Sequence, residues 1–144
     1  VLVDGDVMHR SLTTSVDLDE HPGLTEYIAR RNSAEDIVVR DAIPHVSLVP
    51  AGNKKAPDIK SCILSPLTDL FVKMTTEYQK IIFVDEPFGR NHHMLADLLP
   101  PHDIVVVFKS GEHSICEADR MAEMYLSKKD RATIKAIVVN GIVA

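Results

Sequence analysis

The sequence has no tryptophan, only two cysteines and no long hydrophobic run. Cys62 and Cys116 lie far apart and form no Cys-x-x-Cys motif, so neither a disulfide framework nor a zinc ribbon is expected. The longest unbroken aliphatic and aromatic run, 104–108, is far shorter than the roughly 18 residues that a membrane-spanning helix needs. Asp4 and Asp6 interrupt the first apolar stretch, so we expect no signal peptide in these residues.

Basic residues are also too few for a protein that binds nucleic acid through charge alone. Lys and Arg number 16 against 21 Asp and Glu, which gives a net charge of −5 and argues against a nucleic-acid partner. Hydrophobic residues make up 45% and charged residues 26% of the chain, as in ordinary globular proteins. The 144 residues predict one domain. Since the chain begins at Val1 without an initiator Met, we expect a fragment or a processed product.

Short apolar runs indicate the strands of a parallel sheet. The four main runs are 1–3, 81–84, 104–108 and 136–139. None of them alternates with polar residues, and continuous β-branched runs are typical of strands buried on both faces. A weaker run, 46–49, stops at Pro-Ala-Gly. Helical patterns lie between the runs: a short one at 23–31, one with Ser65 as its N-cap, and one with a capping box at 114–117. The second has one apolar face, formed by Leu67, Leu70, Phe71, Met74 and Tyr78. We therefore predict an α/β fold, a mostly parallel sheet with helices on both faces.

Two carboxylates follow the first apolar run. Asp4 and Asp6 are two residues apart, and in an extended chain such side chains point to the same side. Ligands of α/β sheets bind at the carboxyl ends of the strands, so the pair could hold a magnesium ion or accept a hydroxyl proton. The alternative is that Asp6 only caps the helix or turn that follows. The spacing alone leaves both interpretations open.

A third carboxylate ends another apolar run. The run 81–84 followed by Asp85 fits the Walker B pattern, in which a strand holds a carboxylate beside the magnesium ion of a nucleotide. Together with Asp4 and Asp6, Asp85 predicts a metal site at one edge of the sheet. Three converging carboxylates repel one another unless a cation neutralises part of their charge. A P-loop reads Gly-x-x-x-x-Gly-Lys-(Ser/Thr), and none of the six glycines precedes a lysine. A phosphate-binding loop is therefore expected before Val1, or has been lost.

The order and spacing of several segments resemble the cytoplasmic catalytic domain of bacterial tyrosine autokinases of exopolysaccharide biosynthesis, relatives of the MinD and ParA ATPases. Val-Leu-Val-Asp-Gly-Asp at 1–6 looks like their Walker A′ motif, and Pro-Gly-Leu-Thr-Glu-Tyr-Ile at 22–28 looks like a second family segment. Further stretches resemble the Pro-Ala-Gly strand, the approach to Walker B and the last two core strands, at 46–52, 78–87, 104–110 and 136–140.

The resemblance implies a P-loop NTPase-like, three-layer fold in which 1–144 is one domain, the larger part of a kinase domain without its first strand and P-loop. It implies ATP and Mg²⁺ as cofactors. Asp4 and Asp6 would be the catalytic pair that serves the metal and the incoming tyrosine hydroxyl. Asp85 would bind the metal and Asn140 the adenine. The resemblance also implies a location at the cytoplasmic face of the inner membrane, a membrane polysaccharide co-polymerase or adaptor as partner, and a homo-oligomer.

The sequence departs from this family at several places. The arginine that often stands two residues after the second Walker A′ aspartate is Met8 here, and Glu86 replaces the hydroxyl residue that usually follows the Walker B aspartate. Residues 1–144 include no segment like the tyrosine-rich tail of the family. Without a P-loop, we expect the chain as given to bind ATP·Mg weakly and to lack kinase activity. Two alternatives stay open: a MinD- or ParA-like switch ATPase with the same carboxylates, and a non-catalytic binding module.

Overall fold

Strands form at all five of the apolar runs noted in the sequence. The structure is a computed structural model and describes residues 1–53, 64–84, 102–109 and 132–140. Its backbone divides into two units, Val1–Leu98 and Leu99–Ala144. The prediction of one domain over 1–144 stays a prediction.

The first unit contains a four-stranded sheet in the order β2-β3-β1-β4. The strands are β1 (Leu2–Asp4), β2 (Val39–Ile43), β3 (Val46–Val49) and β4 (Ile82–Val84). β1 lies between β3 and β4 and is parallel to both, with Leu2 opposite Leu48 on one side and Ile82 on the other. β2 is antiparallel to β3. The carboxyl ends of the three parallel strands therefore meet at one edge of the sheet.

Three helices of the first unit cover part of this sheet: α1 (Ser11–Ser15), α2 (Leu24–Ile28) and α3 (Leu64–Glu77). The apolar face predicted for α3 is confirmed, because Leu67, Leu70, Phe71 and Met74 are all buried. These side chains follow the helical period, so one stripe of α3 enters the core. The hydrophobic core cluster comprises Val3, Leu24, Ile28, Ala34, Ile37, Val49, Leu67, Leu70 and Met74.

The second unit contains β5 (His102–Lys109) and β6 (Ala132–Asn140), which form a parallel two-stranded sheet. Its register runs from His102 opposite Ala132 to Lys109 opposite Asn140, with an irregularity between Ile104 and Val105. Both strands extend beyond the apolar runs that predicted them. The helix predicted from the capping box at 114–117 lies outside the described residues.

Two elements were not predicted, and one boundary was wrong. β2 carries Arg40 and Asp41 on an edge of the sheet, so its sequence shows neither an apolar run nor alternation. α1 is a five-residue helix, Ser-Leu-Thr-Thr-Ser, with a single apolar residue and so no apolar face of its own. α3 begins at Leu64, which puts Ser65 inside the helix and not at its N-cap. Pro66 is tolerated there because the N–H groups of a first helical turn have no intrahelical partner.

The predicted α/β class with a mostly parallel sheet is confirmed. Within the described residues, no helix is long and apolar enough to cross a membrane.

Candidate active site

A tight turn follows β1 and carries the two N-terminal carboxylates; we call residues 4–10 the carboxylate loop. Gly5 donates its N–H to the carbonyl oxygen of Val84 at 2.7 Å, and Arg10 donates its N–H to the carbonyl oxygen of Asp6 at 2.8 Å. The first bond continues the pairing of β1 with β4, and the second closes the turn. The strand pairing thus continues as far as Gly5, and the backbone turns from Asp6 onward, so Asp6 stands at the start of the turn.

Asp4 is fully buried at the carboxyl end of β1. Its Oδ2 accepts hydrogen bonds from the backbone N–H of Thr13 at 2.8 Å and from the Thr13 hydroxyl at 2.6 Å. Its Oδ1 accepts the N–H of Asp6 at 3.2 Å. A carboxylate can be buried only when hydrogen-bond donors replace its lost water, and these three donors do so. Asp4 thereby joins β1 to α1.

Asp6 is less enclosed than Asp4, with 11% of its side chain exposed. Its Oδ1 accepts the backbone N–H of His9 at 2.9 Å, and the His9 Nδ1 atom is 3.4 Å from the same oxygen. The carboxylate of Asp6 therefore caps the turn through Oδ1, as the alternative interpretation of the sequence expected. A metal ion would be held through Oδ2, so capping and metal binding are compatible at this residue.

Gly5 is required by the close approach of an aromatic ring. A Cβ atom built at Gly5 would overlap the Phe83 ring and lie 3.0 Å from the carbonyl oxygen of Val84. Phe83 in turn packs against Phe71 of α3, with ring centroids 5.9 Å apart and the ring planes tilted by 50°. The conformation of the carboxylate loop is thus coupled to the packing of α3 against β4.

The basic residue of the carboxylate loop is turned inward. Met8, which stands where the kinase family often has arginine, is 80% exposed. Arg10 is 3% exposed and donates from Nη2 to the carbonyl oxygen of Asp19 at 2.7 Å, while its Nη1 is 3.5 Å from Asp19 Oδ1. Its left-handed backbone (φ 59°) starts α1. Arg10 therefore fixes the 10–19 segment and presents no guanidinium group to a phosphate beside Asp6.

Two segments that resemble the kinase family contact each other beside the loop. Leu24 donates its N–H to the carbonyl oxygen of Pro50 at 2.8 Å, and Thr25 donates to that of Ala51 at 3.1 Å. The Glu26 carboxylate accepts the backbone N–H of Asn53 at 3.0 Å. The Pro-Gly-Leu segment and the end of the Pro-Ala-Gly strand are thus joined by hydrogen bonds in both directions.

The described residues do not test the other two predicted site residues, Asp85 and Asn140. Asp85 lies outside the described residues; Val84, which precedes it, is opposite Asp4 in the register of β1 and β4. Asn140 ends β6 in the second unit, opposite Lys109. Among the residues with described placement, no three His, Cys, Asp or Glu side chains form a possible metal site. The metal roles of Asp4, Asp6 and Asp85 and the adenine role of Asn140 stay predictions.

Comparison with solved structures identifies the fold. The chain is similar to the kinase domain of VpsO, with a TM-score of 0.82, 19% identity, and coverage of 99% of this chain and 70% of that one. It is similar to the kinase domain of the Escherichia coli tyrosine kinase ETK, with a TM-score of 0.81, 15% identity, and coverage of 99% and 55%. The chain has the fold of bacterial tyrosine kinase domains. The resemblance inferred from the sequence motifs is confirmed at the level of the fold.

A nucleotide-bound ATPase shares this fold. MinD from Pyrococcus horikoshii OT3, solved in complex with Mg-ADP, matches with a TM-score of 0.69 and 18% identity over 96% of this chain and 56% of that one. The chain thus spans between about half and 70% of the length of these three neighbours. No protein-family model matches the sequence, and no curated protein matches it.

Proposed function

We propose that this chain is the larger part of the catalytic domain of a bacterial protein-tyrosine autokinase that uses ATP·Mg. The observation that carries the proposal is the carboxylate loop at the carboxyl end of β1, the central strand of a mostly parallel sheet with the kinase-domain fold. Ligands of such sheets bind at that edge. The loop supplies a buried carboxylate, Asp4, and a partly exposed one, Asp6.

The residues of the loop fit a magnesium ion through Asp6. Protein-bound Mg²⁺ usually has one or two carboxylate ligands, with water and substrate phosphates completing its coordination. Asp6 is partly exposed and uses only Oδ1 to cap its own turn. Asp4 is enclosed, and its Oδ2 is held by two donors from Thr13. When bound, the ion would neutralise negative charge on the transferring phosphoryl group.

The proposed roles follow from this difference in exposure. Asp6 would bind the metal, and Asp4 would hold the loop that carries it. On the family resemblance, Asp6 would also accept the proton of the incoming tyrosine hydroxyl, Asp85 would bind the metal and Asn140 would contact the adenine. The proposed setting is regulation of exopolysaccharide or capsule synthesis at the cytoplasmic face of the inner membrane, with a membrane co-polymerase or adaptor as partner and self-association of the kinase.

A switch ATPase is the second candidate. It is supported by the likeness to MinD, whose structure contains Mg-ADP, and it would use the same carboxylates without phosphorylating tyrosine. Met8 is exposed and stands where the kinase family often has an arginine beside the second aspartate. The missing positive charge argues against both an active kinase and an active ATPase. This departure supports the third candidate, a non-catalytic binding module.

Phosphotyrosine formation tests the proposal. The product of the whole reading frame that encodes these residues is incubated with ATP and Mg²⁺, and phosphotyrosine is quantified by mass spectrometry. We expect wild-type protein to phosphorylate itself and Asp6→Asn to lose at least about 100-fold in rate, because removing a metal ligand also removes charge neutralisation in the transition state. Asp69→Asn is the matched control, since Asp69 is exposed on α3, away from β1.

Two results would contradict the kinase activity, and a third would contradict the assignment of its site. ATP hydrolysis that depends on Asp6 without phosphotyrosine identifies a switch ATPase. Nucleotide binding without turnover identifies a binding module. Equal phosphorylation by the wild type and Asp6→Asn shows that the carboxylate loop is not the active site.

A further inference from the structure

Thr13 makes more contacts to the candidate site than its place in a short polar helix suggests. It is fully buried. Its backbone N–H and its hydroxyl both donate to Oδ2 of Asp4, at 2.8 and 2.6 Å. The hydroxyl bond has the short length expected of a charge-assisted bond to a carboxylate. Two donors from one residue on one oxygen fix both the position and the rotation of the Asp4 carboxylate.

The direction of the hydrogen bonds follows from the chemistry of the groups. An ionised carboxylate only accepts, so the single proton of the Thr13 hydroxyl goes to Asp4. The lone pairs of that hydroxyl are then available, and the backbone N–H of Ala51 donates to it at 2.9 Å. Ala51 follows β3, the parallel neighbour of β1. The Thr13 hydroxyl therefore bridges the carboxyl ends of two adjacent strands.

This bridge determines which carboxylate is available to a ligand. Oδ2 of Asp4 is held by Thr13, and Oδ1 accepts the N–H of Asp6, which orients the start of the turn. Asp6 lies in that turn and is the more exposed of the two. We propose that Thr13 is a positioning residue that fixes Asp4 as the internal support of the carboxylate loop and leaves Asp6 as the carboxylate that contacts the metal-nucleotide. The inference rests on the proposed nucleotide-dependent function.

Substitutions at Thr13 separate its hydrogen bonds from its volume. Thr13→Val keeps the shape of the side chain and removes the hydroxyl, which donates to Asp4 and accepts from Ala51. Thr13→Ser keeps the hydroxyl. Affinity for Mg·ADP is measured by calorimetry on the product of the whole reading frame. We expect Thr13→Val to weaken binding about 10- to 100-fold, as loss of partners that orient metal ligands does. Thr13→Ser should remain within about 3-fold of the wild type, since it keeps both hydrogen bonds.

A core variant controls for loss of stability. Leu70 is fully buried on α3, so Leu70→Ala destabilises the fold without removing a contact to Asp4. Assayed at a temperature where all variants are folded, Leu70→Ala should bind Mg·ADP like the wild type. Weakening by Thr13→Val and not by Leu70→Ala assigns the effect to positioning. Equal affinity of Thr13→Val and the wild type overturns the inference.

A second comparison decides the matter if Thr13→Val does not fold. In Asp4→Asn the amide oxygen still accepts both bonds from Thr13, and only the longer bond from the N–H of Asp6 is lost. Asp4→Asn should therefore weaken Mg·ADP binding less than Asp6→Asn does. If Asp4→Asn loses as much Mg·ADP affinity as Asp6→Asn, or more, then Asp4 is the direct metal ligand and the assignment of Asp6 is overturned. Wild-type protein that binds no Mg·ADP refutes the proposed function and this inference together. Wild-type binding with an unaffected Thr13→Val refutes this inference alone.

Discussion

Replacing Phe71 by alanine should destabilise the first unit strongly. Phe71 is 6% exposed, and its ring packs on Phe83 with centroids 5.9 Å apart. Truncation of a buried phenylalanine costs about 3–5 kcal/mol, and the aromatic pair accounts for about 0.5–1.5 kcal/mol of it. For a chain of this size each kcal/mol lowers the melting temperature by about 2–4 °C, so the expected shift is about 6–20 °C.

The neighbouring residue on the same helix is the matched control. Val72 is 61% exposed, and its replacement by alanine should change the free energy of unfolding by less than about 0.5 kcal/mol. Urea unfolding followed by circular dichroism measures both variants. A double-mutant cycle with Phe83→Leu should recover a coupling of about 0.5–1.5 kcal/mol. Equal, small effects of Phe71→Ala and Val72→Ala would refute the assignment of the buried face of α3.

Three further changes test the local geometry. Gly5→Ala should destabilise the protein by about 1–3 kcal/mol, because the new Cβ overlaps the Phe83 ring. Adding Phe83→Leu should restore part of the lost stability. Unchanged stability of Gly5→Ala would contradict this packing. Gly52→Ala should cost more than about 1 kcal/mol in urea unfolding, because φ is +102° there; unchanged stability would mean another backbone conformation. Hydrogen bonds from Ser33, first from its backbone N–H and then from its hydroxyl, lower the pKa of Asp36 below its ordinary value. Ser33→Ala should therefore raise the titration midpoint of Asp36 measured by NMR. An unmoved midpoint would exclude the hydroxyl as a cause. Since the folded-state pKa of Asp36 is depressed, its contribution to stability is present above the unfolded-state pKa and is lost as the pH falls through the folded-state value.

The strands were predictable because their residues carry a local signal. Continuous apolar runs such as 81–84 identify strands of a parallel sheet, and the spacing of Leu67, Leu70 and Met74 identifies the buried face of α3. β2 gave no such signal, because an edge strand with exposed Arg40 needs no apolar run. α1 is too short to show a period, so its existence depends on tertiary contacts.

The sequence was sufficient to predict which residues form the candidate site, but not how they are arranged. The motif identified Asp4 and Asp6 as a pair, but the turn that begins at Asp6 gives them different surroundings. The roles of Thr13 and Arg10 were missed, because each depends on contacts that no local pattern encodes. Thr13 reaches Ala51, which is 38 residues away in the sequence, and Arg10 turns inward to Asp19. Thr13 and Ala51 meet only because β1 and β3 pair in the assembled sheet.

The position of the metal in a nucleotide complex tests the central claim most directly. Crystals of the product of the whole reading frame, grown with ADP and Mn²⁺ in place of Mg²⁺, would locate the ion by its anomalous scattering. We predict a peak beside the nucleotide phosphates, about 2.0–2.3 Å from a carboxylate oxygen of Asp6, with Asp4 still bonded to Thr13. A nucleotide-bound metal that lies away from the carboxylate loop would contradict the account.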